Sequence, residues 1–374
     1  MRRCPLVTIP LLACLCLLAA AVWAAHTWYV QTADSMEYMG GFVSAALDSS
    51  GYPHISYLDA MSGGMKHAWW NGTAWEREPI EARGISWETS LALDSSGRPH
   101  IAYGDWWGSP EKLRYARWDG SSWVKETVET STSVYRWQSL ALDSTDRPHL
   151  AYCEEAADDL KYGVRSGAGW SLQTVDGAAA GLGYCCSLAL VPGDPYPARI
   201  AYFDATNGLL KYARQTGATS WDLQTVVSNQ DSYCSLALDS SAYPRIAYHD
   251  GATSALRCAA WNGASWDIET VGGSEANADG DPCLAIDSAD RPRIAYVTPS
   301  GLEVRYAEWN GATWDVETTA SVAGILRFDP WVGLALTATD GPHVTYAQAS
   351  STYGQGRLLH AVTAGPLPVR WPRE

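Results

Sequence analysis

The sequence has no cluster of basic residues beyond Arg2-Arg3. Its 26 Lys and Arg stand against 41 Asp and Glu, a formal net charge of −15. Nucleic acid and anionic membrane both attract clustered cations, so neither is expected as a partner. Phenylalanine is scarce, 3 residues against 19 Trp and 20 Tyr in a chain of 374. Tyr and Trp join an apolar body to a polar handle, which suits half-buried strand ends and stacking against sugars alike. Past residue 25 no apolar run reaches membrane-spanning length. No CxxC pair or His–Cys spacing suggests zinc, and Asn277, Asp279 and Asp281 lack the Gly and distal Glu of a calcium loop. No metal and no other cofactor is expected.

What is present begins with Met1-Arg2-Arg3 and a nearly unbroken apolar stretch from Cys4 to Ala25, with Val22-Trp23-Ala24 as a small-residue cleavage site. This reads as a secretory signal peptide, residues 1–24. Two rivals stand: the run is long enough to remain as an anchor, and Leu11-Leu12-Ala13-Cys14 loosely matches a lipoprotein box, although the apolar run continues past Cys14. Residues 25–374 read as one domain, secreted, periplasmic or on the cell surface. Export permits disulfides, and Cys153, Cys185, Cys186, Cys234, Cys258 and Cys283 remain after the signal. Cys258 stands where other repeats have Tyr and reads as a buried thiol. Cys186 and Cys234 share a register in neighbouring repeats, a bridge that requires Cα atoms within about 7 Å. A Cys185–Cys186 bond would be strained. The pairing stays open.

One stretch recurs seven times. Ser90–Tyr103 (SLALDSSGRPHIAY) returns at Ser44–Tyr57, Ser139–Tyr152, Ser187–Tyr202, Ser235–Tyr248, Cys283–Tyr296 and Gly333–Tyr346, with closing tyrosines 46, 49, 50, 46, 48 and 50 residues apart. Short strands at this period predict a β-propeller. Strand A is SLALD, and a tight Ser/Gly/Asp-Pro turn leads to strand B, HIAY. Strand C is Leu113–Trp118 and its relatives. Asn-Gly or Asp-Gly turns (Asn71-Gly72, Asp119-Gly120, Asn262-Gly263, Asn310-Gly311) lead to strand D, such as Trp123–Val128. Small residues put strand A at the crowded axis, and Trp with charges puts strand D at the rim, where charge guards an edge. The seventh repeat lacks strand D, and Trp28-Tyr29-Val30-Gln31-Thr32 matches Trp170-Ser171-Leu172-Gln173-Thr174. The expectation is an all-β, seven-bladed propeller of four-stranded antiparallel blades, closed by an N-terminal outer strand that completes the last blade.

The turn Trp118-Asp119-Gly120-Ser121-Ser122-Trp123 and its relatives resemble a degenerate Asp-box, which joins strands C and D in sialidase-like propellers. The repeat as a whole, residues 26–363, resembles propellers of exported bacterial proteins, fucose-binding lectins among them. The sialidase Arg-Ile-Pro segment is missing, and Arg199-Ile200-Ala201 and Arg293-Ile294-Ala295 belong to strand B. No arginine triad or Tyr–Glu nucleophile pair carries over, so the resemblance implies no sialidase activity.

The long, variable B–C and D–A connections emerge on one face, and function concentrates on variable loops held by a rigid scaffold. Two residues after the closing Tyr stands an acid in five blades, Asp59, Asp105, Glu154, Asp204 and Asp250. Each is followed by a base, Lys66, Arg114, Lys161, Lys211 and Arg257. A ring of carboxylates invites glycosidase chemistry, but the spacing favours cross-strand ion pairs. His54, His100, His149 and His343 alternate with Arg199, Arg245 and Arg293, which points to a polar strand-edge role, because Arg cannot replace His as metal ligand or proton carrier. Seven Trp belong to strand D and four precede the C–D turn. Trp87, Trp106, Trp107, Trp137 and Trp331 fall in variable segments, joined by Glu88, Asp105, Tyr135 and Arg136. These nine residues are the candidate ligand-binding site; none is assigned a catalytic role. The leading expectation is an exported, non-catalytic propeller that binds glycan or a cell-surface polymer. Alternatives are a carbohydrate-active hydrolase or lyase using Glu88, Glu155, Asp231 or Asp281, and a protein-interaction scaffold.

Overall fold

The computed structural model describes residues 25–36, 42–59, 62–107, 109–131, 135–155, 157–167, 169–177, 182–228, 233–272, 282–298, 303–321, 332–349 and 356–363. Residues 1–24, read above as a signal peptide, and Asp231, Trp331, Asn277, Asp279 and Asp281 lie outside the described residues. Among these residues are seven four-stranded antiparallel sheets and no helix, each running A-B-C-D from axis to rim. Strand A of every blade touches strand A of the next, and blade seven touches blade one, so the ring is closed. Trp28–Met36 pairs with Gly356–Thr363 as strand D of blade seven, the expected N-terminal closure.

The repeated residues prove to be joints. The Asp that ends SLALD folds its own turn: Asp94 Oδ1 accepts the Ser96 and Arg98 N–H groups at 2.9 and 2.8 Å, and Asp143 and Asp287 act alike. In the C–D turn Asn71, Asp119, Asn262 and Asn310 each accept the N–H groups two and three residues on. The following Gly has positive φ, between 95° and 103°, a conformation open to Gly. The Ser that opens strand A reaches across the blade interface. Ser44, Ser90, Ser139, Ser187 and Ser235 accept the N–H of Leu91, Leu140, Leu188, Leu236 and Leu284 at 2.9–3.0 Å. In blade six Cys283 Sγ takes this place and accepts the Leu334 N–H at 3.3 Å.

Strand D is also an interface device. Its Trp packs edge-on against the strand C aromatic of the preceding blade, in Trp170–Tyr115, Trp221–Tyr162, Trp266–Tyr212, Trp28–Tyr306, Trp123–His67 and Trp75–His360. Its Glu or Gln three residues on accepts the next blade's indole N–H, as Gln31 does from Trp75, Gln173 from Trp221, Glu269 from Trp314 and Glu317 from Trp28. The residue that closes WxxETV, apolar in every blade but the sixth, sits at a β-bulge. The register with strand C skips Ile80, Val128, Val175, Val226, Val271, Thr319 and Ala33. A bulge re-aims side chains, so all but the half-buried Val226 of these seven are buried.

Candidate functional site

The bulge fixes what the loop face carries. Past the skipped residue, blades seven, one, two and three present Asp34, Glu81, Glu129 and Asp176 toward the next blade. There each accepts the hydroxyl of a closing strand B tyrosine: Tyr57 at 2.8 Å, Tyr103 at 2.9 Å, Tyr152 at 2.9 Å and Tyr202 at 2.8 Å. These tyrosines are fully buried. Burial first, and then the facing carboxylate, raises Tyr57, Tyr103 and Tyr202 well above the usual phenol range, so none is poised as a nucleophile.

The five hairpin ion pairs form: Lys66–Asp59 at 2.9 Å, Arg114–Asp105 at 3.9 Å, Lys161–Glu154 at 3.3 Å, Lys211–Asp204 at 4.0 Å and Arg257–Asp250 at 2.5 Å. Sequence reasoning missed that four of these cations also meet the acid of the preceding blade: Asp34 at 4.0 Å, Glu81 at 3.8 Å, Glu129 at 2.8 Å and Asp176 at 2.5 Å. Burial lowers the Lys161 ammonium pKa, but Glu129 and Glu154 outweigh it and hold it above its usual value. The available signal was an acid six residues after each strand D Trp in those four blades, at Asp34, Glu81, Glu129 and Asp176.

The strand B histidines are buried, not at a polar edge. His100 and His149 bridge the turn aspartates Asp94 and Asp143 to Tyr115 and Tyr162. Arg293 does the same between Asp287 and Tyr306, with Nη2 2.7 Å from the carboxylate. That shared task explains the interchange: both side chains can donate to a turn carboxylate.

The candidate binding residues divide into two places. Trp106 and Trp107 follow strand B of blade two and are 47% and 69% exposed, the two exposed tryptophans among the described residues. Their loop is braced. The Trp106 N–H donates to Gly84 O at 3.0 Å, the Trp107 N–H donates to Asp105 Oδ1 at 3.2 Å, and the Arg83 guanidinium stands 5.9 Å from the Trp107 ring centroid. Gly84 has φ +88°, and a Cβ there would meet Trp107 Cβ at 2.5 Å, so the indole rests directly on that backbone.

The second place is the axis. The starts of the strands A line a cavity of about 190 Å³, walled by Glu88, Trp137, Gln138, Cys185, Cys234 and Cys283 among others. Glu88 is buried and accepts the Trp137 N–H, and Gln138 Nε2 donates to Glu88 O. Trp137 has φ +51° and is half-buried against the interface of blades three and four. Trp87 lies in strand Ile85–Leu93, and Tyr135 and Arg136 in Tyr135–Leu142; their side chains lie outside the described residues. Among the described residues no group of three or more His, Cys, Asp or Glu is arranged to hold a metal ion. Nor is any helix there long and apolar enough to cross a membrane.

No protein-family model and no curated protein matches the chain. Solved propellers do. AofleA from Arthrobotrys oligospora is 14% identical with a TM-score of 0.53, covering 79% of this chain and 90% of that one. A virginiamycin B lyase from Staphylococcus aureus is 9% identical with a TM-score of 0.57, covering 89% and 99%. The SapL1 lectin, solved with α-methyl fucoside, is 17% identical with a TM-score of 0.48, covering 76% and 97%. At such identities the first two likenesses show the fold alone.

Proposed function

We propose that the protein is an exported, non-catalytic propeller that binds glycan, or another cell-surface polymer rich in sugar rings, at the Trp106-Trp107 edge of the loop face. The observation that carries this reading is the braced pair of exposed indoles. An aromatic face held rigid before the ligand arrives loses little entropy on binding, and an unused apolar patch on a soluble surface is uncommon. Export rests on the Met1–Ala25 segment. The absence of catalysis is supported by the loop-face carboxylates: the five hairpin acids are engaged by cations, and Glu88 holds a backbone N–H. The C–D turns, alike to the box of sialidase-like propellers, close hairpins on the opposite side of the blades and carry no chemistry in this reading.

The test is binding of the purified protein to a glycan array and to immobilised polysaccharides, beside a Trp106→Ala/Trp107→Ala double variant. Both residues are solvent-facing, so the variant keeps its fold. We expect its affinity to fall by about 10-fold or more, the loss of one to two stacking contacts. Equal binding by both proteins overturns the site, and hydrolysis or elimination of a bound polymer overturns the non-catalytic reading.

A further inference from the structure

Of the four cysteines that line the cavity at the axis, Cys185 and Cys234 stand together, and the proposed sugar site uses neither. The Ser187 Oγ bond to the Leu236 N–H, at 3.0 Å, fixes the register of strand A in blade four (Leu182–Leu190) against strand A in blade five (Cys234–Leu238). Cys185 stands two residues before Ser187, and Cys234 one residue before Ser235. In this register the Cys185 Sγ accepts the Cys234 N–H at 3.0 Å and lies 2.8 Å from the Cys234 Sγ. Two sulfurs that merely pack stay farther apart than this. The adjacent Cys186 turns the other way, against Trp137 O and the blade three interface with Cys153, whereas Cys185 and Cys234 share the cluster between blades four and five. The alternation of side chains along one strand thus separates the neighbours Cys185 and Cys186 and aims Cys185 alone at Cys234.

We propose that Cys185 and Cys234 are a disulfide-forming pair that covalently joins the inner strands of blades four and five in the wall of the axial cavity. The oxidant is a small-molecule or protein disulfide. One cysteine thiolate attacks it, releasing one thiolate of the oxidant and leaving a mixed disulfide. The second cysteine thiolate then attacks the protein sulfur and releases the other. Two cysteine thiols and one oxidant disulfide become one protein disulfide and two oxidant thiols, with two electrons passing to the oxidant. Both cysteines are buried in the fold, and burial, with Cys234 alongside, raises the Cys185 thiol well above its usual range. Thiolate is therefore scarce once the ring is closed, and the bond forms while the chain folds. The bridge spans 49 residues, about one repeat, so it ties neighbouring blades and not the two ends of the chain.

The full chain is reduced, unfolded, and refolded in a buffer of reduced and oxidised glutathione. It is then unfolded again, alkylated without reduction, digested, and mapped by mass spectrometry. The expected result is a linked pair of peptides, two hydrogens lighter than their sum and separated by reductant. Because Cys185 and Cys186 share a peptide, backbone fragmentation between them decides the assignment, and the Cys234 peptide stays with Cys185. Alkylation of both Cys185 and Cys234 after oxidative refolding overturns the proposal, as does a Cys234 peptide attached to Cys186.

Discussion

At the scale of single residues, the imidazoles show how burial sets chemistry. Blades one and seven put His on strand C where most blades put Tyr, and there it meets the strand B histidine. His54 Nδ1 stands 3.0 Å from His67 Nε2, and His343 Nδ1 stands 2.9 Å from His360 Nε2. Two imidazoles can share one hydrogen bond only while both are neutral or one is charged, and the interior disfavours charge. Burial, then the neighbouring His67, lowers His54 to about 3. Burial alone lowers His343 to about 4, and burial, followed by the neighbouring His343, holds His360 well below its ordinary value. The unfolded chain takes up these protons near pH 6.5. Stability from these groups is therefore full above pH 6.5 and lost as pH falls toward 4 and then 3. His54 and His343 each cost on the order of 2 kcal/mol between pH 7 and pH 5. Urea unfolding at the two pH values should show the midpoint falling on acidification, and an unchanged midpoint would mean that the imidazoles charge within the fold.

At the scale of the strand, inner-strand serines act as clasps. Ser90→Ala leaves the Leu140 N–H without its acceptor, and an unmet buried donor costs on the order of 1–3 kcal/mol. Gly333, at the same position in blade seven, has no room for a side chain, since a Cβ would meet Thr345 Oγ1 at 2.5 Å and Ala45 Cβ at 3.2 Å. Thermal melts should therefore rank Cys283→Ser as tolerated, because the hydroxyl repeats the acceptor used in five blades, and both Ser90→Ala and Gly333→Ser as destabilising. A Gly333→Ser protein as stable as its parent would refute the packing. What was legible in the sequence follows the same division. Turns, hairpins, blade number and the five ion pairs could be read because their partners lie within about a dozen residues and recur. The Ser clasp, the Trp–Glu/Gln contact and the Tyr–carboxylate bond could not, because each joins one blade to the next, over 22–26 residues for the tyrosines and 44–50 for the other two within the chain. A repeat then marks every member as important without saying to which neighbour it binds. The candidate Trp residues were legible as exceptions to the repeat, but not their division between loop and axis, which depends on whether a position faces the cavity or the rim.

At the scale of the whole molecule, seven similar wedges make a ring only if the last is completed by the first strand. Trp28–Met36 pairs with a strand more than 300 residues away, and chain entropy opposes joining such distant ends, although that cost rises only slowly with length. Its return is concentrated at Glu317, which accepts the His26 N–H at 2.9 Å and the Trp28 indole N–H at 2.9 Å and contacts His26 Nδ1 at 2.7 Å. The first strand is thereby locked to blade six as well as to blade seven. Without it, Gly356–Thr363 becomes an open edge, the kind of surface that recruits other chains. Stability in arrays of repeats is the sum of unit and interface terms, so losing one strand weakens both blade seven and its joint with blade six. Deleting residues 25–36 should yield a chain that elutes as larger species in size-exclusion chromatography and melts well below the parent. Glu317→Ala, which keeps the strand and removes its lock, should elute with the parent and lose about 1–3 kcal/mol of stability. If the truncated chain elutes with the parent and melts at an unchanged temperature, six complete blades and a three-stranded seventh suffice, and the terminal strand is not what holds the ring shut.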